Sequence, residues 1–169
     1  MNRLHIVGRK NSGKTTLISE LVEHFTGGGL KIGTIKHTHH HHELDTPGKD
    51  SHQHREAGSA VVGILCPAMT AVFRPTPADG SRDDSRYEFL APTFRDCDLV
   101  LVEGDLQTAG PKVEVWRSIS GERPLASDDR SILAVVADTE ISAEVPVWPR
   151  SDLSVIAQEI LQLRPIKSE

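Results

Sequence analysis

Apolar residues recur at spacings that assign most of this chain to strands and helices. Leu4-His5-Ile6-Val7, with its β-branched members, predicts a short buried strand. Over residues 15–25, Leu17, Leu21, Val22 and Phe25 stand at i, i+4, i+5 and i+8. That spacing predicts a helix with one apolar stripe, stopped by Gly27-Gly28-Gly29. Residues 31–36 predict a second strand, so the three elements form a βαβ unit with its usual right-handed crossover. A polar loop covers 37–49, and Asp50 is placed to cap a helix over 51–57 that Gly58 ends. Two strand-like runs, 60–65 and 69–73, are divided by Cys66-Pro67. Residues 75–86 are rich in Pro, Asp, Gly and Ser and read as an exposed connection into a short helix toward Arg95. Residues 98–104 predict a buried strand that ends in Glu103 and a turn at Gly104. Residues 112–117 alternate in polarity and predict an edge or half-exposed strand. Residues 132–136 predict a further strand. A closing helix over 151–163 has Ser151 or Asp152 as its cap and Val155, Ile156, Ile160 and Leu163 turned inward. The alternation predicts an α/β fold, a mainly parallel sheet with helices on both faces. Ligands of such sheets lie beyond the carboxyl ends of the strands.

Bulk properties narrow the classes. A length of 169 residues predicts one domain over 1–169. The net charge of −5 argues against a general nucleic-acid binder, and 4% aromatic residues leave little for base stacking. No apolar run approaches the ~20 residues of a membrane span, so no membrane association is expected. The chain reaches Arg9 almost at once, which argues against a signal peptide, and Cys66 and Cys97 are isolated thiols that fit a reducing cytoplasm.

The strongest chemical signal is Gly8-Arg9-Lys10-Asn11-Ser12-Gly13-Lys14-Thr15, which fits the phosphate-binding pattern G-x-x-x-x-G-K-[ST] between a strand and a helix. Gly8 and Gly13 allow the backbone to curl so that N–H groups along Asn11, Ser12 and Gly13 face a polyphosphate. Lys14 supplies a charge for the outer phosphates, Thr15 a hydroxyl for Mg²⁺, and Thr16 continues the same helix start, whose dipole favours the anion. Glu103, at the tip of a buried strand, is suited to the Mg²⁺ shell or to orienting a water. The run Lys36-His37-Thr38-His39-His40-His41-His42 has three readings: a metal site, a phosphate or nucleotide contact at His37, or a solvated loop. Asp45 opens a D-x-x-G stretch that reads as a turn into a helix or as a switch-like segment near the terminal phosphate. Asp138, after the strand 132–136, reads either as an acceptor for guanine N1–H and its amine or as a turn acid.

These residues together resemble the molybdopterin-guanine dinucleotide biosynthesis protein B (MobB) family. The matching pieces are the phosphate loop, Ile35-Lys36-His37-Thr38-His39-His40, Pro47-Gly48-Lys49-Asp50-Ser51 with Ala57-Gly58, Leu101-Val102-Glu103-Gly104, and residues 111–117. The resemblance implies a three-layer P-loop NTPase fold and a GTP-binding, weakly hydrolysing cytoplasmic homodimer. It also implies assistance to the guanylyltransferase MobA, which joins GMP to molybdopterin. Carried over by position, Gly13, Lys14 and Thr15 would hold phosphates and Mg²⁺, His37, Asp45 and Asp50 would sit in the family's conserved-motif loop, and Glu103 in its acidic strand end. Lys14 and Glu103 are then the expected catalytic residues, Thr15, Glu103 and Asp45 the expected metal ligands, and Arg9 a candidate for acting across the dimer. The family usually has an aromatic residue and a lysine after Glu-Gly, where this chain has Asp105-Leu106, and His41 and His42 exceed its usual pattern. Two readings compete: a nucleotide-dependent nickel or zinc chaperone using the His loop, and a small-molecule kinase with Arg82 and Arg86 on a lid.

Overall fold

Strand β1 (Arg3–Val7) buries four of its five residues, as its apolar run requires. The chain is described here by a computed structural model, over residues 1–38, 43–75 and 84–163. These divide into two compact units, residues 43–75 and the remainder.

In the larger unit β1 leads into α1 (Lys14–Gly27), whose buried stripe is Leu17, Ile18, Leu21 and Phe25. Ile18 takes the buried place expected for Val22, which packs at the margin. The Gly28 amide closes the helix on the carbonyls of His24 and Phe25. Strand β2 (Ile32–Lys36) follows. The smaller unit holds α2 (Asp50–Glu56) and the antiparallel pair β3 (Val62–Leu65) and β4 (Thr70–Phe73). Asp50 lies in the first turn of α2 and does not cap it; Lys49 holds that place without a side-chain bond. The larger unit resumes with α3 (Ser85–Leu90), β5 (Leu99–Glu103), β6 (Lys112–Trp116), β7 (Ile132–Ala137), β8 (Val147–Pro149) and α4 (Leu153–Gln162). Most of the expected connection over 75–86 lies outside the described residues.

Among the described residues the main sheet has the order β2-β5-β1-β6-β7-β8, with every pairing parallel. Its residues alternate between two cores. Leu99 and Leu101 of β5 join α1 and α4 on one face, while Val100 and Val102 join Tyr87 of α3 on the other. Helices therefore cover both faces, as the α/β reading expects. Asp152 caps α4 by accepting the Val155 amide, and Ile156, Ala157 and Ile160 form its buried side. Val155, expected inward, is exposed.

A further expectation is overturned. Strand β6 is not an edge; it is central, between β1 and β7, and four of its five residues are buried. Its alternation misleads because its charged side chains are buried with partners. The Lys112 ammonium lies 3.5 Å from the Asp129 carboxylate. The Glu114 carboxylate accepts the amides of Leu125 (2.9 Å) and Ala126 (3.0 Å). Strand β8 has three residues and gives no run long enough to announce it.

Candidate functional site

The loop after β1 is shaped by three left-handed backbone positions: Gly8 (φ 141°), Asn11 (φ 62°) and Gly13 (φ 94°). At Gly8 the requirement is strict. A Cβ there would lie 2.4 Å from the Val115 carbonyl oxygen of β6, so only glycine lets the loop rest against that strand. Gly13 opens α1 with no side-chain cap, which leaves first-turn amides to meet an anion. The Lys14 ammonium folds back and donates to the Gly8 carbonyl (3.0 Å) and the Arg9 carbonyl (2.7 Å). Burial lowers its pKa, and the Glu103 carboxylate opposes that shift. The result is a cation held over a ring of backbone dipoles.

Across from it, Thr15 donates its hydroxyl to Glu103 Oε1 at 2.9 Å. Lys36 Nζ reaches the same oxygen at 3.2 Å. Lys14, Thr15 and Glu103 are thus brought together as expected, and Lys36 joins them. Strand pairing explains the last: Lys36 and Glu103 are opposite one another in the β2–β5 ladder. Adjacency of β2 and β5 is not written in either strand, so the sequence, which marks Lys36 only as the start of the histidine run, does not announce its contact with Glu103.

The other candidates are distributed differently. Asn11 and Thr16 are exposed at the loop and the first turn of α1, while Ser12 is buried with its hydroxyl unpartnered. Arg9 forms an ion pair with Glu122 at 2.7 Å. His37 meets the site through its backbone, its amide donating to the Glu103 carbonyl at 3.0 Å. Its ring turns to Arg86 Nη2 (3.1 Å from Nε2) and to Asp105 (4.0 Å). Asp138 follows β7, where it accepts the Ser118 amide at 2.8 Å and lies 3.5 Å from Arg117, tying the end of β7 to the segment after β6. Asp45 belongs to the smaller unit; it accepts the Thr46 amide (2.8 Å) and the Ser51 hydroxyl (3.0 Å). His39, His40, His41, His42 and Arg82 lie outside the described residues. Among the described residues no group of three His, Cys, Asp or Glu side chains is placed to hold a metal ion.

Asp105 forms a buried cluster that its sequence position alone does not announce. Its backbone is left-handed (φ 66°), and its carboxylate accepts the Tyr87 hydroxyl at 2.6 Å. Burial acts to raise its pKa, but the Tyr87 hydroxyl, with His37, His5 and Arg86, outweighs it and the pKa is lowered. Burial, and next the bond to Asp105, push the Tyr87 phenol up. The cluster fixes the turn that follows Glu103.

Comparisons with known proteins fit this geometry. A family model described as MobB, molybdopterin guanine dinucleotide synthesis protein B, matches residues 3–138. The molybdopterin-guanine dinucleotide biosynthesis adapter protein of Escherichia coli K12 is 32% identical over 154 residues, 89% of this chain and 86% of that one. The adapter protein of the same name from Haemophilus influenzae is 36% identical over 137 residues, 80% and 74% of the two chains. A solved structure of molybdopterin-guanine biosynthesis protein B superimposes with a TM-score of 0.67 at 27% identity, over 95% of this chain and 97% of the other. A MobB homolog from Bacillus stearothermophilus gives 0.63 at 25% identity, over 96% and 97%.

Proposed function

We propose that this chain, which belongs to the family of molybdopterin guanine dinucleotide synthesis protein B, acts in molybdenum cofactor biosynthesis as a GTP-binding adapter with weak hydrolytic activity. Its relatives are named adapter proteins of molybdopterin-guanine dinucleotide biosynthesis. On this reading the partners are the guanylyltransferase MobA and molybdopterin, the protein works in the cytoplasm, and it does so as a homodimer. No helix among the described residues is long and apolar enough to cross a membrane.

The observation that carries the nucleotide reading is the arrangement at the start of α1. An uncapped helix end, a lysine laid over the Gly8 and Arg9 carbonyls, and the Thr15–Glu103 pair stand together. A polyphosphate needs N–H donors, one fixed cation and a place for its metal ion, and these supply all three. The Thr15 hydroxyl and the Glu103 carboxylate are hard oxygen donors, which suits Mg²⁺ held partly by phosphate. Bound there, Mg²⁺ would neutralise phosphate charge. Glu103 is longer than an aspartate, so it also suits orientation of a water. Weak turnover fits the pairing of Arg9 with Glu122, which occupies the arginine of the loop itself.

Calorimetry with GTP and Mg²⁺ on the native chain and on Lys14→Ala tests the site. The native chain is expected to bind and the variant to lose binding; GTP affinity retained without the Lys14 ammonium rules the site out. Mass spectrometry of nucleotide and pterin carried through native purification tests the pathway assignment.

A further inference from the structure

Side chains alternate along β2. Ile35 packs with Tyr87, Val100 and Val102 on the α3 face, so Lys36 leaves from the opposite face, toward α1. There Thr15, Lys36 and Glu103 open into one groove of about 430 Å³, continued by Ile18 and Val22 of α1. Glu103 Oε1 receives both the Lys36 ammonium and the Thr15 hydroxyl. The ammonium therefore rests on the oxygen that a divalent ion would share with Thr15. Its side chain is 68% exposed, against 18% for that of Glu103. An ion pair so open contributes little to folding, and the flexible stem of lysine can carry the charge elsewhere. Lys14 is placed differently, held by two loop carbonyls. The site has one fixed ammonium and one that is free to move.

We propose that Lys36 is the residue by which this chain senses the terminal phosphate of a nucleotide, an inference that rests on the nucleotide-binding reading above. In the unliganded protein the ammonium neutralises Glu103. When a divalent ion takes the carboxylate, the ammonium passes to the terminal phosphate, where it offsets the repulsion between that group and Glu103. A diphosphate offers no group at that end, so the ammonium that yields Glu103 to the metal ion gains no new partner and Lys36 adds nothing to its affinity. Discrimination between the two nucleotides is then a property of the end of β2 and not of the phosphate loop.

Calorimetry with GDP, and with a GTP analogue carrying a β,γ-imido bridge, each with excess Mg²⁺, tests this on the full chain. The native protein is expected to favour the analogue. Lys36→Gln is expected to lose about tenfold in affinity for the analogue, the worth of one hydrogen bond to a charged group, with no loss of GDP affinity. Lys36→Arg, which keeps the charge, is expected to retain most of the preference. Equal losses for both ligands, no loss for either, or a native protein without preference would each overturn the inference. If the native protein binds neither ligand, the nucleotide reading itself falls and this inference with it.

Discussion

A fully buried histidine in the central strand must be neutral or lose stability. His5 lies in β1 with no exposed surface. Arg3 Nε donates to its Nε2 at 3.2 Å, which leaves the Nδ1 proton to meet the Gly104 carbonyl at 3.2 Å. Burial lowers its pKa from 6.5 to about 4; the Gly104 bond opposes this and the Arg3 charge adds to it. Between those values the unfolded chain binds the proton and the folded chain does not, so stability rises with pH across that window. It is complete above about 6.5 and is lost as pH falls toward 4, by about 3 kcal/mol. Urea unfolding at a series of pH values should show this slope, and His5→Gln should flatten it. Asp105, whose pKa is lowered from 3.8, adds a further loss that sets in below that value and so stays outside the histidine window. The added proton goes to Nε2, so it displaces the Arg3 Nε donor while the Nδ1 bond to the Gly104 carbonyl, which favours the protonated ring, stays in place.

Strand β6 shows how buried charge alters an element. Its Glu114 carboxylate accepts two amides of the 3₁₀ turn Leu125–Ser127, fastening the connection that precedes β7. Glu114→Gln replaces one acceptor oxygen with an NH₂ group facing a buried amide donor. The expected cost is about 1–3 kcal/mol, read from the urea midpoint with unchanged slope, because the amide left without an acceptor keeps its desolvation penalty. The same residue explains an error of reading. Lys112-Val113-Glu114-Val115 has the period-two alternation of a half-exposed strand, and only the partners Asp129, Ser131, Leu125 and Ala126, distant in sequence, reveal that both faces are covered. By contrast, β1, α1, β5 and β7 were legible because their apolar patterns were sufficient, and the phosphate loop because glycine and lysine positions state its backbone geometry directly. Lys36 and Asp105 were not legible as members of the site. Their places depend on which strands pair and on the fold of the turn after Glu103, and neither is a local property of the sequence.

Residues 43–75 raise a question of stability for the whole chain. Among them Val62 is the one buried apolar side chain, and α2 buries none. Strands β3 and β4 pair with each other, and an isolated two-stranded hairpin is marginal in water. Its surface is nevertheless apolar: Leu65 is 84% exposed, Met69 76% and Val72 59%. Apolar side chains grouped on a unit with so small a core make a surface suited to contact with another chain. On the homodimer reading proposed above, a second copy of this chain would be the occupant, and burying the hairpin would supply the apolar area the unit lacks. Light scattering on the eluting protein should therefore give about twice the 18.5 kDa of one chain. Val72→Lys, alone or with Leu65→Lys, should move the mass toward a monomer while leaving the larger unit folded by circular dichroism. It should also raise proteolysis within residues 43–75 first, since on that reading the unit would owe its order to a covered hairpin. A native protein that elutes as a monomer at every concentration would refute the dimer.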